Sequence, residues 1–240
     1  NIISMDIGGT PAKCSLIDNG KTTVTTEYRI QRTERYAGYP VMVPVIDINE
    51  IGNGGGSIAW IDNAGSLRVG PESAGAFPGP VAYGLGGTEP TTTDACLVTG
   101  RLSPANFDMD VDMGKVKIAK PMGVNVDEAA LDIIRVAEAN MVNALRLVSV
   151  RRGYDPREFA IVAHGGGGPM HCAELARELN ANGVIVPNSA AVFSAWGMLM
   201  TDVRHDWVRT VICPLETTSA DEINSIWNGL KEEAMQRMYN

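Results

Sequence analysis

The chain has 240 residues, 45% of them hydrophobic and 20% charged, with a formal net charge of −8 at pH 7. That size supports one large domain or two small ones around a real core, while an acid excess without a basic cluster argues against a nucleic-acid surface. No apolar run reaches the ~18 residues of a membrane helix and no basic-plus-apolar leader is read at the start, so a cytoplasmic protein without a membrane partner is expected.

An apolar run over residues 2–7 carries one acid, Asp6, and meets Gly8-Gly9-Thr10; a second run, 13–17, ends at Asp18-Asn19-Gly20. Asn-Gly between strand-like runs predicts a hairpin. Gly8 and Gly9 let the backbone approach an anion closely, and their N–H groups with the Thr10 hydroxyl can donate to it. Asp6 beside the same anion is tolerable only with a bridging cation, which is the chemistry of a Mg-nucleotide site. The alternative is an ordinary Gly-Gly hairpin with Asp6 turned to water.

Residues 21–30 are rich in β-branched side chains and read as a third antiparallel strand, followed by a crossing loop over 31–44. From residue 45 the opening is repeated in outline. Gly55-Gly56-Ser57 precedes a run ending Ile61-Asp62, as Gly8-Gly9-Thr10 precedes one ending Ile17-Asp18. Two such hairpins are expected to grip a polyphosphate from opposite sides. Residues 70–87 are rich in Gly and Pro without periodicity, the pattern of a binding loop. Next, Thr93 or Asp94 caps a short helix; alternatively, Asp94 is a second carboxylate for the metal or an attacking water.

Asn125 or Asp127 starts a helix running to about Arg152, ended by Gly153 and Pro156. Its stripe of Ala130, Ile133, Ile134, Ala137, Met141, Ala144, Leu145 and Val148 is core packing. Residues 159–163 form a buried-strand pattern, His164-Gly165-Gly166-Gly167-Gly168 follows, and a helix from about Pro169 leads to a strand at 183–187. A nucleotide rests in such a place against N–H groups at a helix start. The dinucleotide fingerprint fails, because His171 stands where its third Gly belongs, and no P-loop sequence occurs. His164 and His171 lack a third ligand at metal spacing and read as polar loop or helix-start residues in preference to catalytic ones. Residues 189–200 are read as helical, 203–212 as β-rich, and Ser219 to Glu222 as a capping box for a last helix.

Cys14, Cys96, Cys172 and Cys213 lie far apart and read as reduced core residues, not as a zinc site or disulfide frame. The domains are drawn at 1–120, 121–215 and 216–240. Asn1 is not an initiator Met and Asn240 falls inside a helical pattern, so a piece of a longer protein is expected.

Asp6-Ile-Gly-Gly-Thr10, the Gly54-Gly-Gly-Ser57 hairpin and the strand–Gly165 to Gly168–helix stretch resemble the phosphate-1, phosphate-2 and adenosine motifs of the actin, sugar-kinase and heat-shock chaperone superfamily. The resemblance implies an α/β, ribonuclease H-like fold of mixed sheets flanked by helices. More narrowly, Gly54-Gly-Gly-Ser-Ile-Ala59, Arg68-Val-Gly-Pro-Glu-Ser-Ala-Gly-Ala76 and Thr93-Asp-Ala95 resemble the hydantoinase A/oxoprolinase family. The wording of residues 6–17 and 191–200 is similar to its acetone carboxylase β-subunit branch. Family members more often carry Phe-Gly-Gly-Ala-Gly-Pro-Leu-His at the adenosine loop, so His164 and the fourth consecutive glycine depart from the pattern. The resemblance implies ATP-dependent phosphorylation of a carbonyl oxygen, on a ketone enolate or a cyclic amide, in a hetero-oligomer with partner subunits. It implies Mg²⁺ held through water by Asp6, and one phosphate cradled by Gly8, Gly9 and Thr10. The other phosphate falls to Gly54, Gly55, Gly56 and Ser57, and adenosine lies along Gly165, Gly166, Gly167 and Gly168. Asp94 is the candidate water-positioning or metal-side acid, and Glu72 the candidate on the substrate side. AMP with phosphate as products marks the carboxylase branch, and ADP the amidase branch.

Overall fold

The computed structural model describes residues 1–31, 36–41, 43–107, 124–203, 205–214 and 216–238. Strand β1, Ile2–Ile7, buries Ile3, Met5 and Ile7 on one face and leaves Ser4 and Asp6 half-buried on the other. That alternation is the period of two that a pleated strand imposes. β2, Ala12–Asp18, runs antiparallel to it, pairing Ile7 with Ala12 beside the turn. Asn19 and Gly20 then take φ of 50° and 74°, the left-handed pair a tight hairpin needs, and lead into β3, Lys21–Thr22.

The expected single strand over 21–30 is instead three short pieces. After β3 come β4, Val24–Thr25, and β5, Tyr28–Ile30; β5 pairs with β6, Tyr39–Val41, and β4 with β7, Val45–Ile46. β-Propensity allowed a strand throughout, but each piece took a different edge. The expected crossing loop therefore holds part of a hairpin, while 32–35 and 42 lie outside the described residues. β8, Asn49–Ile51, joins β2. β9, Ser57–Ile61, and β10, Leu67–Ser73, make the second hairpin.

α1, Thr92–Val98, and α2, Val126–Val148, follow. The Asn125 side chain caps α2 by accepting the Glu128 N–H at 2.8 Å, which settles the start between the two expected residues. β11, Ala160–His164, lies parallel to β1 with Asp6 opposite His164. α3, Gly168–Leu179, then returns the chain to β12, Gly183–Ile185, parallel to β11. The main sheet runs β12-β11-β1-β2-β3, with β8 also on β2. α4, Phe193–Leu199, is short. The β-rich stretch expected at 203–212 forms no strand among its described residues, of which Val203, Val208 and Ile212 are exposed. The last helix, α5, Ala220–Met238, begins on the expected capping box, with Glu222 accepting from the Ser219 N–H at 2.8 Å.

Helix α2 organises the core. Its Met141, Val142, Ala144, Leu145 and Val148 pack with β1, β2, β11 and α3, while Ala129 to Ala137 pack with α1 and the β9–β10 hairpin. Each fully buried Ile, Leu or Met contributes about 1.5–3 kcal/mol over an exposed one. The chain divides into two compact units, Asn1–Thr25 with Val45–Leu199, and Thr26–Pro44 with Met200–Asn240. Cys14 and Cys96 are buried, which pushes their thiols up to about 12. Cys213 is exposed, unlike the core position expected of it. Among the described residues no helix is long and apolar enough to cross a membrane.

Candidate functional site

The two glycine turns touch. Gly55 N–H donates to the Gly8 carbonyl at 3.0 Å and Gly56 N–H to the Gly9 carbonyl at 2.6 Å. A Cβ on Gly54 would stand 2.6 Å from the Gly8 oxygen and 2.7 Å from that of Thr10, so only glycine allows this approach. Thr93 locks the second turn from α1, its N–H and hydroxyl both donating to the Gly55 carbonyl at 2.7 and 2.9 Å.

This contact also reassigns the second turn. Gly54 N–H goes to the Ser57 hydroxyl at 2.9 Å, Ser57 N–H to the Gly54 carbonyl at 3.1 Å, and Ser57 is fully buried. All four N–H groups expected to cradle a phosphate at Gly54 to Ser57 are thus spent inside the protein. The turn braces its neighbour. In the first turn Gly8 N–H closes onto the Pro11 carbonyl at 3.1 Å, while Gly9 and Thr10 are exposed.

The glycine loop after β11 reaches the same strand ends. Gly165 has φ of 76°, and a Cβ there would lie 2.4 Å from Asp6 Oδ1 and from the Ile7 oxygen. Gly167 N–H donates to the Ile7 carbonyl at 2.8 Å, and Gly165 N–H to that of Ala190 at 2.8 Å. Gly168 starts α3, with Pro169 in its first turn. Gly166 is exposed, and open space surrounds the Cβ position. Three of the four expected glycines therefore serve close packing, and Gly166 alone faces outward.

Asp6 sits between these loops, its side chain 30% exposed. Ser194, from α4, donates to Asp6 Oδ2 at 2.8 Å. His164 Nδ1 lies 3.7 Å from Asp6 Oδ1, while His164 Nε2 is 2.8 Å from Ser4 Oγ. Burial holds His164 below its usual 6.5, against the opposing pull of Asp6, so the imidazole is neutral at pH 7. Its ring lies against Phe193, centroids 5.3 Å apart.

Asp94 does not join them. It is fully buried; Oδ2 accepts the Thr91 N–H and hydroxyl at 2.9 and 2.8 Å and the Val81 N–H at 3.2 Å, and Oδ1 accepts the Ala82 N–H at 2.8 Å. With no exposed surface and four donors from the protein, this carboxylate is engaged inside the fold and not presented to a metal or a water. Its role is that of the N3 acid in the α1 capping box, whose N-cap is Thr91 and not the expected Thr93 or Asp94, and it also ties the Gly/Pro-rich loop to α1. Glu72 is exposed on β10, next to Ser73, whose Oγ is 3.5 Å from Thr10 Oγ1. Sequence reasoning missed Ser194, whose contact spans 188 residues. It also missed Glu138, buried on α2 between Arg101 Nη1 at 2.6 Å and His171 Nδ1 at 3.1 Å. Its signal was an acid inside the apolar stripe of α2.

Among the described residues no group of three or more His, Cys, Asp or Glu is placed to hold a metal. A Mg²⁺ bound by one carboxylate, water and phosphate oxygens needs no such cage. Asp6, partly exposed beside the open Gly9–Thr10 turn, fits that demand.

Parallel β12-β11-β1 continued by antiparallel β2 and β3, with glycine loops at the ends of β1 and β11, defines an actin-like fold. The hydantoinase/oxoprolinase family model matches residues 1–207, and the chain belongs to that family. The caprolactamase subunit alpha of Pseudomonas jessenii is 38% identical over 249 residues, covering 99% of this chain and 35% of that one. The crystal structure of ATP-dependent caprolactamase from Pseudomonas jessenii aligns with a TM-score of 0.78 at 36% identity, over 98% of this chain and 35% of that one. Nucleotide-free acetone carboxylase aligns with a TM-score of 0.81 at 28% identity, over 100% of this chain and 35% of that one. The chain thus spans about a third of the length of these relatives.

Proposed function

We propose that this chain is the nucleotide-binding part of an enzyme that uses ATP and Mg²⁺ to phosphorylate a carbonyl oxygen, as a subunit of a ketone carboxylase. One observation carries the reading. Asp6, the exposed Gly9–Thr10 turn and the outward-facing Gly166 converge on one end of the sheet, where the second glycine turn braces the first.

In this reading Gly9, Thr10 and the Thr10 hydroxyl donate to phosphate oxygens, and Asp6 holds Mg²⁺ through water. Phosphoryl transfer asks the protein for little covalent work; it asks for positioning and for charge at the transferring oxygens. Gly166 and the start of α3 would lie along the adenosine, and Glu72 would face the substrate. Passing a phosphoryl group to an amide or enolate oxygen turns a weak leaving group or nucleophile into a reactive one.

A second reading, cyclic-amide hydrolysis, is favoured by the 38% identity to a caprolactamase subunit. Partner subunits belong to both readings. ATP turnover by the purified protein, with its co-purifying chains, tests them. Stimulation by a ketone with bicarbonate supports the first and stimulation by a lactam or hydantoin the second, with AMP or ADP scored as product. ATP binding with no stimulation by either contradicts both and leaves a conformational ATP-binding module.

A further inference from the structure

Two polar residues flank Asp6 on the strands that carry it. Ser4 precedes it by two residues on β1, on the same face of the pleat, and His164 is its register partner on β11. We propose that Ser4 and His164 form a relay that orients the Asp6 carboxylate for a divalent cation. The inference rests on the reading of Asp6 as the cation-side acid.

The His164 ring is enclosed, its side chain only 9% exposed, and its two nitrogens are treated differently. Nε2 is 2.8 Å from the Ser4 hydroxyl. Nδ1 is buried and has no partner among the described residues, a costly state for a ring nitrogen. A hydroxyl donating to Nε2 leaves the single proton of a neutral imidazole on Nδ1. The group facing that proton is Asp6 Oδ1, 3.7 Å away. Closing that gap by roughly 0.8 Å makes an ordinary N–H···O bond of about 2.9 Å. Asp6 Oδ2 is already held by the Ser194 hydroxyl at 2.8 Å. The carboxylate is therefore held at one end and offered a second donor at the other. With the Nδ1 bond made, its remaining acceptor sites stay open on a side chain that is 30% exposed. His164 acts as a positioning residue here, and Ser4 sets its tautomer.

The test is Mn²⁺ binding to the purified chain with ADP present, followed by electron paramagnetic resonance, with apo thermal melting recorded for each variant. His164→Phe keeps the ring against Phe193 and removes both nitrogens; the relay requires Mn²⁺ affinity to fall by about tenfold or more, as when other outer contacts of metal sites are lost. His164→Asn places an amide N–H near the Nδ1 position and restores most of that affinity. His164→Gln reaches toward the Nε2 position and does not. The Asn–Gln contrast decides the matter even where the Phe variant melts early. Wild-type affinity in His164→Phe, or equal losses in the Asn and Gln variants, overturns the relay alone. No Mn²⁺ binding by the wild-type protein with ADP overturns the reading of Asp6 and the relay with it.

Discussion

Removing the Asp94 carboxylate is a stability experiment, because its four donors belong to the start of α1 and the 81–83 turn. Asp94→Ala is expected to lower the unfolding free energy by about 2 kcal/mol, from the lost cap and the buried donors left open. Urea denaturation measures it; unchanged stability with lost ATP turnover would return Asp94 to the site. Glu138 makes a second case. Burial alone would raise its carboxyl, but His171 and Arg101 together hold it below its usual 4.5. A depressed carboxylate contributes stability that is complete above the unfolded value and lost as pH falls through the lower folded value. Glu138→Ala should therefore cost about 1–3 kcal/mol at pH 7, because it leaves the buried His171 Nδ1 and the partly exposed Arg101 guanidinium without their carboxylate. The gap to wild type should narrow below about pH 4.5, a comparison of urea midpoints across pH. Asp6 and Thr10 were legible in the sequence because turn chemistry is local, and so was the capping option at Asp94. Ser194 was not, since no local rule links residues so far apart.

The glycine loop after β11 gives a paired test at the level of the element. Gly165→Ala forces a side chain onto a left-handed backbone and against Asp6 Oδ1, and should cost about 1–3 kcal/mol. Gly166→Ala meets open space and no such backbone demand, so the melting temperature should hold while ATP affinity falls. Equal ATP affinity in Gly166→Ala and wild type, by fluorescent-nucleotide titration, would remove the loop from the adenosine. The hairpin at β1–β2, helix α2 and the β11–α3 step were legible from hydrophobic period and turn residues. Residues 21–30 were not: β-branched side chains permit a strand, but partner edges decide where it breaks. The same limit applies at 203–212, where strand-like composition forms no strand among the described residues. The roles of Gly54 to Ser57 escaped for another reason, since spacing reveals glycine but not whether its N–H faces a ligand or a neighbouring carbonyl.

At the scale of the molecule, one sheet collects β1 from the start of the chain and β11, whose paired residues lie 158 positions later, and α2 joins the two halves of the core. Family membership was legible in short glycine-rich stretches; the division into two units was not, because it depends on which distant strands pair. The account's central claim is that Asp6 and the first glycine turn bind one Mg²⁺-polyphosphate. Calorimetric titration of ATP, with Mg²⁺ and with EDTA, into wild type and Asp6→Asn tests it most directly. Mg²⁺ should tighten ATP binding in the wild-type protein and lose that effect in Asp6→Asn. Full Mg²⁺ enhancement in Asp6→Asn, or ATP affinity indifferent to Mg²⁺ in the wild type, would contradict it.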